Sequence, residues 1–121
     1  MLGKPEEMKL LCTIAINSAC PGKVVGIQNQ DLRHRMKDSE KKWKENLKER
    51  YKGSDVKGTF RVEVDFARKQ WNGNSPDIDN MLKVVFDSLK GCIVDDDRHI
   101  ISVEAKKLTG KDSTVVRVYC L

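Results

Sequence analysis

A chain of 121 residues, 34% of them charged and with a formal net charge of +5, is long enough for one domain that buries about 65% of its unfolded surface without a disulfide or zinc staple. Only three prolines and eight glycines exclude collagen-like and low-complexity classes, and no apolar stretch approaches membrane-spanning length. The four cysteines, Cys12, Cys20, Cys92 and Cys120, show neither a C-x-x-C pair nor metal-finger spacing, which points to reduced thiols in a cytosolic protein. In chain order, Leu10 to Ile16 is apolar and runs into Asn17-Ser18-Ala19-Cys20, the outline of a leader peptide. Glu6 and Glu7 spoil its positive region and the run is of minimal length, so a first strand over Lys9–Ile16 is expected instead. Asn17 to Gln30, with Pro21-Gly22 and Gly26, reads as a long loop.

Asp31 to Lys57 holds ten Lys or Arg and six Asp or Glu. A helix from Asp38 to Tyr51 puts Trp43, Leu47 and Tyr51 on one narrow stripe, with i, i+4 pairs such as Glu40–Lys44 and Lys41–Glu45. That charged run has two readings, a solvated helix face or a phosphate-contacting surface to which Arg33, Arg35 and Lys37 add a loop upstream. Gly53 to Gly58 signals a turn. Phe60, Val62, Val64 and Phe66 then alternate with Arg61, Glu63 and Asp65, the pattern of a half-buried strand. The basic loop Arg68 to Asn74 follows, with Trp71 either stacking on nucleic acid or tucked against the core.

From Asp77 to Asp97 six acids stand against two bases, although the whole chain is basic. Carboxylates concentrated in a basic surround suit a divalent cation gripped for work on a phosphate polyanion. Ser75 as N-cap, Pro76 at the first helical position and Gly91 as terminator predict a helix over Asp77–Lys90, with Ile78, Leu82, Val85 and Leu89 as its core stripe. The apolar run Cys92-Ile93-Val94, the acids Asp95, Asp96 and Asp97, and a strand from Ile100 to Ala105 come next. A Thr109-Gly110-Lys111-Asp112 turn joins that strand to another over Thr114–Cys120. The order β-α-β-α-β-β describes a two-layer α+β domain spanning 1–121, a mixed sheet with helices packed on it. An EF-hand loop is excluded, because Met81 and Leu82 stand where it needs an oxygen ligand and a glycine. No P-loop, H-E-x-x-H or G-x-S-x-G is present. Taken singly, Asp77 or Asp79 is as well explained by the helix dipole; the whole set, with its mutual repulsion, is better explained by a cation.

The run Asp77-Ile78-Asp79-Asn80-x-x-Lys83-x-x-x-Asp87-x-Leu89, then Asp96-Asp97-x-x-Ile100, then a strand reaching Lys106-Lys107, resembles the RusA-type Holliday junction resolvases, small endodeoxyribonucleases of bacteria and their prophages. The resemblance implies a cytoplasmic enzyme of DNA recombination and repair that nicks four-way junctions in symmetric pairs. It implies Asp77, Asp79 and Asp97 as metal-binding catalytic acids, Lys83 as the catalytic lysine and Asp96 as an accessory acid or alternative ligand. Mg²⁺, with Mn²⁺ as substitute, suits an all-oxygen ligand set; the ion would activate a water for in-line attack, leaving a 5′-phosphate and a 3′-hydroxyl. Asp95 is an extra acid before the family's pair. Pro76 stands where members often carry an arginine, whose phosphate contact passes to Arg68 or Lys69. Lys106, Lys107, Arg33 and Arg35 complete the candidate DNA contacts. The chain is expected to bring Asp77, Asp79 and Asp97 around one point. It is also expected to form a homodimer, since a nearly two-fold junction needs two cuts and one chain supplies one acid set; the N-terminal loop and the Trp43 helix are the contact candidates. Two other readings remain open: a branched-DNA-binding module without catalysis, and a metal-dependent nuclease with another DNA substrate.

Overall fold

The computed structural model describes residues 8–24, 26–51 and 56–121. Its elements are β1 (Lys9–Ile16), α1 (Gln30–Glu49), β2 (Phe60–Arg68), α2 (Ile78–Leu89), a single 3-10 turn (Asp97–His99), β3 (Ile100–Thr109) and β4 (Ser113–Cys120). The expected order and the α+β class are therefore observed. Glu6 and Glu7, and Gly53, Ser54 and Asp55 of the expected turn, lie outside the described residues.

The four strands form one mixed sheet in the order β1-β4-β2-β3. β4 runs antiparallel to both β1 and β2, whereas β2 and β3 are parallel neighbours joined through α2. The alternation in β2 is the origin of the layering. Phe60, Val62, Val64 and Phe66 are buried, as are Val116 and Val118 of β4 and Ile14 and Ile16 of β1. The opposite face carries a polar lattice: Arg61 reaches Glu104 at 2.8 Å and Glu63 at 3.2 Å, Tyr119 donates to Glu63, and Arg117 pairs with Asp65. Both helices pack on the apolar face, with Trp43 and Leu47 of α1 and Met81, Val84, Val85 and Leu89 of α2 in one cluster.

Two helix boundaries differ from the sequence reading. α1 begins at Gln30 rather than Asp38, because the Asn29 side chain accepts from the Leu32 N–H and Asp31 occupies the first turn. Arg33, Arg35 and Lys37 are thus exposed helical residues, not a loop. Of the two expected i, i+4 pairs, Glu40–Lys44 closes at 2.9 Å, and Asp38–Lys42 at 2.9 Å stands in place of Lys41–Glu45. At α2 the N-cap is Asp77, with Pro76 outside the helix, since the Ser75 hydroxyl is used to accept from the Asn72 N–H in the preceding turn. Its buried face is Met81, Val84, Val85, Ser88 and Leu89, while Ile78 and Leu82 are half-buried. The shift arises because α2 packs against α1 as well as the sheet. Gly91 takes φ +73°, as a helix terminator does.

The loop between β1 and α1 is tied down along α2. Asn80 accepts from the Lys23 N–H and donates to the Lys23 carbonyl, both at 3.3 Å. Gly22 lies so close that a Cβ there would meet Asn80 Nδ2 at 2.7 Å and Pro76 Cβ at 2.8 Å. Lys23 Nζ then reaches Asp87 at 2.6 Å, with Lys44 at 3.5 Å from the same carboxylate oxygen. Burial raises the affinity of the Asp87 carboxyl for a proton, but the Lys23 hydrogen bond and the Lys23 and Lys44 charges outweigh it and hold its pKa below the ordinary range. A depressed folded pKa contributes stability that is present above the unfolded value and is lost as pH falls through the folded one. Asp87→Asn is therefore expected to cost about 0.5–1 kcal/mol at pH 7, discounted because the carboxylate is partly exposed, and to lose that deficit in strongly acid solution. Thermal melts of both proteins from pH 7 to pH 2 check this. Equal melting at pH 7 would remove the ion-pair contribution.

Candidate active site

Asp77, Asp79 and Lys83 sit together at the start of α2, and all three are exposed. Asp77 occupies the N-cap position without a side-chain capping bond, so its carboxylate is not spent on the helix end. Among the described residues neither Asp79 nor Lys83 has an ion-pair partner, although they stand one turn apart at i, i+4. Two carboxylates and a mobile ammonium are thereby presented to solvent at a helix end whose dipole favours anions.

Arg68 and Trp71 flank this end. Arg68 closes β2, donates to the Cys20 carbonyl at 2.7 Å and lies 5.2 Å from the centre of the Trp71 ring. Lys107 approaches the same ring at 4.6 Å. Trp71 donates from Nε1 to the Leu108 carbonyl and packs on the edge of the core. Its ring is held by two cations, so of the two readings the tucked one is observed, and its effect is to gather Arg68 and Lys107 beside α2. A cavity of about 210 Å³ next to it is lined by Pro21, Gly22, Met36, Ser39, Arg68 and Pro76. Arg68 and Pro76 thus line the same cavity at the start of α2. Arg68→Ala is expected to weaken DNA binding and lower its salt slope by about one unit, read by titrations across salt concentrations. An unchanged slope would place Arg68 outside the DNA contact.

The remaining candidates are more scattered. The Lys69 N–H donates to Asp112 in the β3–β4 turn, leaving its side chain exposed. Lys106 and Lys107 point to opposite faces of β3, as neighbours in a strand must, so that Lys106 joins Glu104 at 3.5 Å on the polar face. Arg33 and Arg35 lie on the first turns of α1.

The second acid group lies at the other end of α2. Lys90, just past the helix, bridges Val94, and Gly91 donates to the Val94 carbonyl. Ile100 then pairs with Phe60 at the start of β2, whereas Arg68, near Pro76, is at its finish. A parallel partner strand must begin where β2 begins, so the twelve residues of α2, about 18 Å of helix, separate Asp79 from Asp97 within one chain. In accord with this, among the described residues no three His, Cys, Asp or Glu side chains are grouped to hold a metal ion.

The three neighbouring aspartates have distinct environments. Asp95 bonds His99 Nδ1 at 3.0 Å, and that bond is the main cause of its lowered pKa. Asp96 caps the 3-10 turn by accepting from the Arg98 N–H, and that bond is the main cause of its lowered pKa. Asp97 is exposed and heads the turn. Asp95 is thus tied up by a histidine that the i, i+4 spacing could have indicated and Asp96 by Arg98, leaving Asp97 as the exposed acid of the three. The thiols offer no alternative chemistry: burial pushes Cys12, Cys20 and Cys92 upward, towards the inert protonated form, and all four cysteines are free.

Comparison with known families adds the deciding observation: the model described as Endodeoxyribonuclease RusA matches residues 21–119. The chain belongs to the RusA endodeoxyribonuclease family. No individual curated protein matches it. The RusA match takes in both helices, both acid groups and Lys83, and extends well beyond the short motif run. As a RusA-family endodeoxyribonuclease the protein is a hydrolase of phosphodiester bonds within DNA, and no helix among the described residues is long and apolar enough to cross a membrane.

Proposed function

We propose that this RusA-family protein is a Holliday junction resolvase, cutting four-way DNA by paired symmetric nicks as a homodimer in recombination and repair. The observation that carries the reading is the family match over residues 21–119, which contains Asp77, Asp79, Lys83, Asp96 and Asp97 together. Asp77, Asp79 and Asp97, with Asp96 as accessory, are the proposed ligands of a divalent ion, Mg²⁺ with Mn²⁺ as substitute, because every candidate donor is a carboxylate oxygen. Bound there, the ion would supply Lewis-acid activation of a phosphodiester and of its attacking water. A single chain does not fit it: its donors are divided between the two ends of α2.

Lys83 places a compact positive charge one turn from Asp79, where it can offset charge growing on a phosphoryl oxygen. Arg68 and Lys107, gathered on Trp71, hold the DNA backbone next to that charge. Exposed Arg33, Arg35 and Lys37 on α1 extend the basic surface without reading sequence. The test is product mapping on a labelled synthetic junction with Mg²⁺. Nicks at symmetric positions on two opposed strands, with ends that DNA ligase reseals, are expected. Unpaired cuts scattered over all arms would favour a nuclease with another DNA substrate.

A further inference from the structure

The loop after β1 does more than join it to α1, because a furrow lies between the two and ends at the start of α2. One cavity of about 230 Å³ is bounded by Ser18 and Pro21 of the loop and by Ser39, Lys42, Trp43 and Asn46 of α1. The cavity at Arg68 and Pro76 adjoins it, since Pro21 and Ser39 border both. Met36, Ser39, Trp43 and Asn46 follow at helical spacing, so one face of α1 forms the floor. The loop wall is fixed before any ligand arrives. Thr114 donates to the Ser18 carbonyl at 3.0 Å, Arg68 to that of Cys20 at 2.7 Å and Asn80 to that of Lys23 at 3.3 Å. Among the described residues, the buried side-chain polar atoms without a hydrogen-bond partner are Trp43 Nε1 and Arg68 Nε. Each cavity is bordered by one of these two residues. A buried donor left unpaired costs free energy that an acceptor brought by a ligand would recover.

We propose that the furrow receives one nucleotide of the bound DNA, turned out of its stack, with its phosphate at Arg68 and its base in the cavity beside Trp43. The inference rests on the reading above for its DNA, but not for cleavage. The two ends of the furrow differ in charge. At the mouth, Arg68 has no carboxylate partner among the described residues, so its guanidinium is available to a phosphate. Deeper in, Lys42 is held by Asp38 at 2.9 Å, which leaves a neutral polar lining of Ser18, Ser39, Asn46 and the indole N–H. The indole can only donate, whereas the hydroxyls and the amide can donate and accept. A nucleobase carries carbonyl or ring-nitrogen acceptors beside amino or imino donors and matches that mixture; a phosphate offers acceptors alone. The cavity is smaller than the roughly 300–1,000 Å³ that drug-sized ligands occupy, so it suits one base and not a stacked pair. Turning a base out is easiest where stacking and pairing are already weak, and the crossover of a junction interrupts the stack.

The test uses a synthetic four-way junction in EDTA, with the fluorescent base 2-aminopurine placed in turn at each position around the crossover. This base is dim within a stack and brightens when turned out. At protein concentrations that saturate the junction in a gel shift, a severalfold brightening is expected at one position of a strand and not at its neighbours. Ser39→Phe puts a ring where the two cavities meet, at an exposed helical position, and is expected to fold and to shift the junction without brightening. Trp43→Phe removes the indole donor and is expected to lower the turned-out population relative to the stacked one by about threefold to tenfold, the worth of one hydrogen bond. Free 2-aminopurine mononucleotide is expected to keep its fluorescence at the same protein concentrations, because it lacks the flanking phosphates of a strand. No brightening in wild-type complexes, or brightening in Ser39→Phe equal to the wild type, would overturn the proposal. Quenching of the free mononucleotide with no brightening in any junction would make the furrow a small-molecule site and overturn it too. Nicking in Mg²⁺ alongside any of these results would leave the nuclease reading standing. Brightening as expected without nicking would keep the furrow and remove that reading, and a wild type that shifts no DNA would remove both.

Discussion

Asp79→Asn is expected to abolish metal-dependent junction cleavage, by about a hundredfold or more, while junction binding in EDTA holds or tightens. Even residues that only orient a metal ligand are worth roughly 10–100-fold, so loss of a ligand charge should exceed that. Binding moves the other way because the substitution removes a negative charge facing phosphate. Lys83→Ala should separate from it. Cleavage should fall even at saturating Mg²⁺, and binding should weaken slightly with a salt slope smaller by about one unit. If Asp79 merely complements the helix dipole, Asn there would be nearly neutral in nicking, since Asn also serves at helix N-termini. The structure already argues against the capping role for its neighbour, because Asp77 caps nothing with its side chain. Melting curves and nicking rates on the same variants separate the two explanations: a folded Asp79→Asn that nicks at the normal rate would exclude a catalytic charge.

Trp43→Ala is expected to cost about 3–5 kcal/mol, the largest stability effect among these substitutions, because it empties a buried site where α1 meets the core. Trp43→Phe should cost far less than that. The indole Nε1 is buried and has no hydrogen-bond partner among the described residues, so the smaller ring leaves a gap but also removes a polar group that they do not satisfy. Denaturant unfolding of both variants gives the comparison. A Trp43→Phe protein as unstable as Trp43→Ala would show that the shape of the indole, not its apolar bulk, holds α1 in place.

The parts of the fold legible in the sequence were those with a regular pattern of burial. β2 alternates strictly, and its inward residues are the inward residues of the structure. β1 runs over the residues expected, Lys9–Ile16, and β4 starts one residue early. The first two turns of α1 escaped because they lack a core stripe: Leu32 and Met36 are exposed, and only Asn29 and Asp31 signal the helix start. In α2 the Ile78–Leu82 rail looked as apolar as the Met81–Val84–Val85–Ser88 face, and contact with α1 selected the latter. The composition of the candidate site was legible as a motif, and Asp77, Asp79 and Lys83 do share one helix end. The placement of Asp97 was not, because residue types say where a strand begins but not whether it runs parallel to its neighbour. Parallel pairing of β2 with β3 carries Asp97 to the far end of α2, and Ile93 and Val94, fully buried, fix the turn there. Likewise nothing in the spacing of Arg68, Trp71 and Lys107 announces that one aromatic ring holds two cations from different strands.

The most direct test of the central claim is a single gel in which the purified protein meets a synthetic four-way junction and a linear duplex of the same sequence, each with Mg²⁺ and with EDTA. The account predicts nicking of the junction in Mg²⁺, little or no cutting of the duplex, and none of either in EDTA. Equal cutting of duplex and junction would contradict junction selectivity, and cutting that persists in EDTA would contradict the assignment of Asp77, Asp79 and Asp97 to a metal.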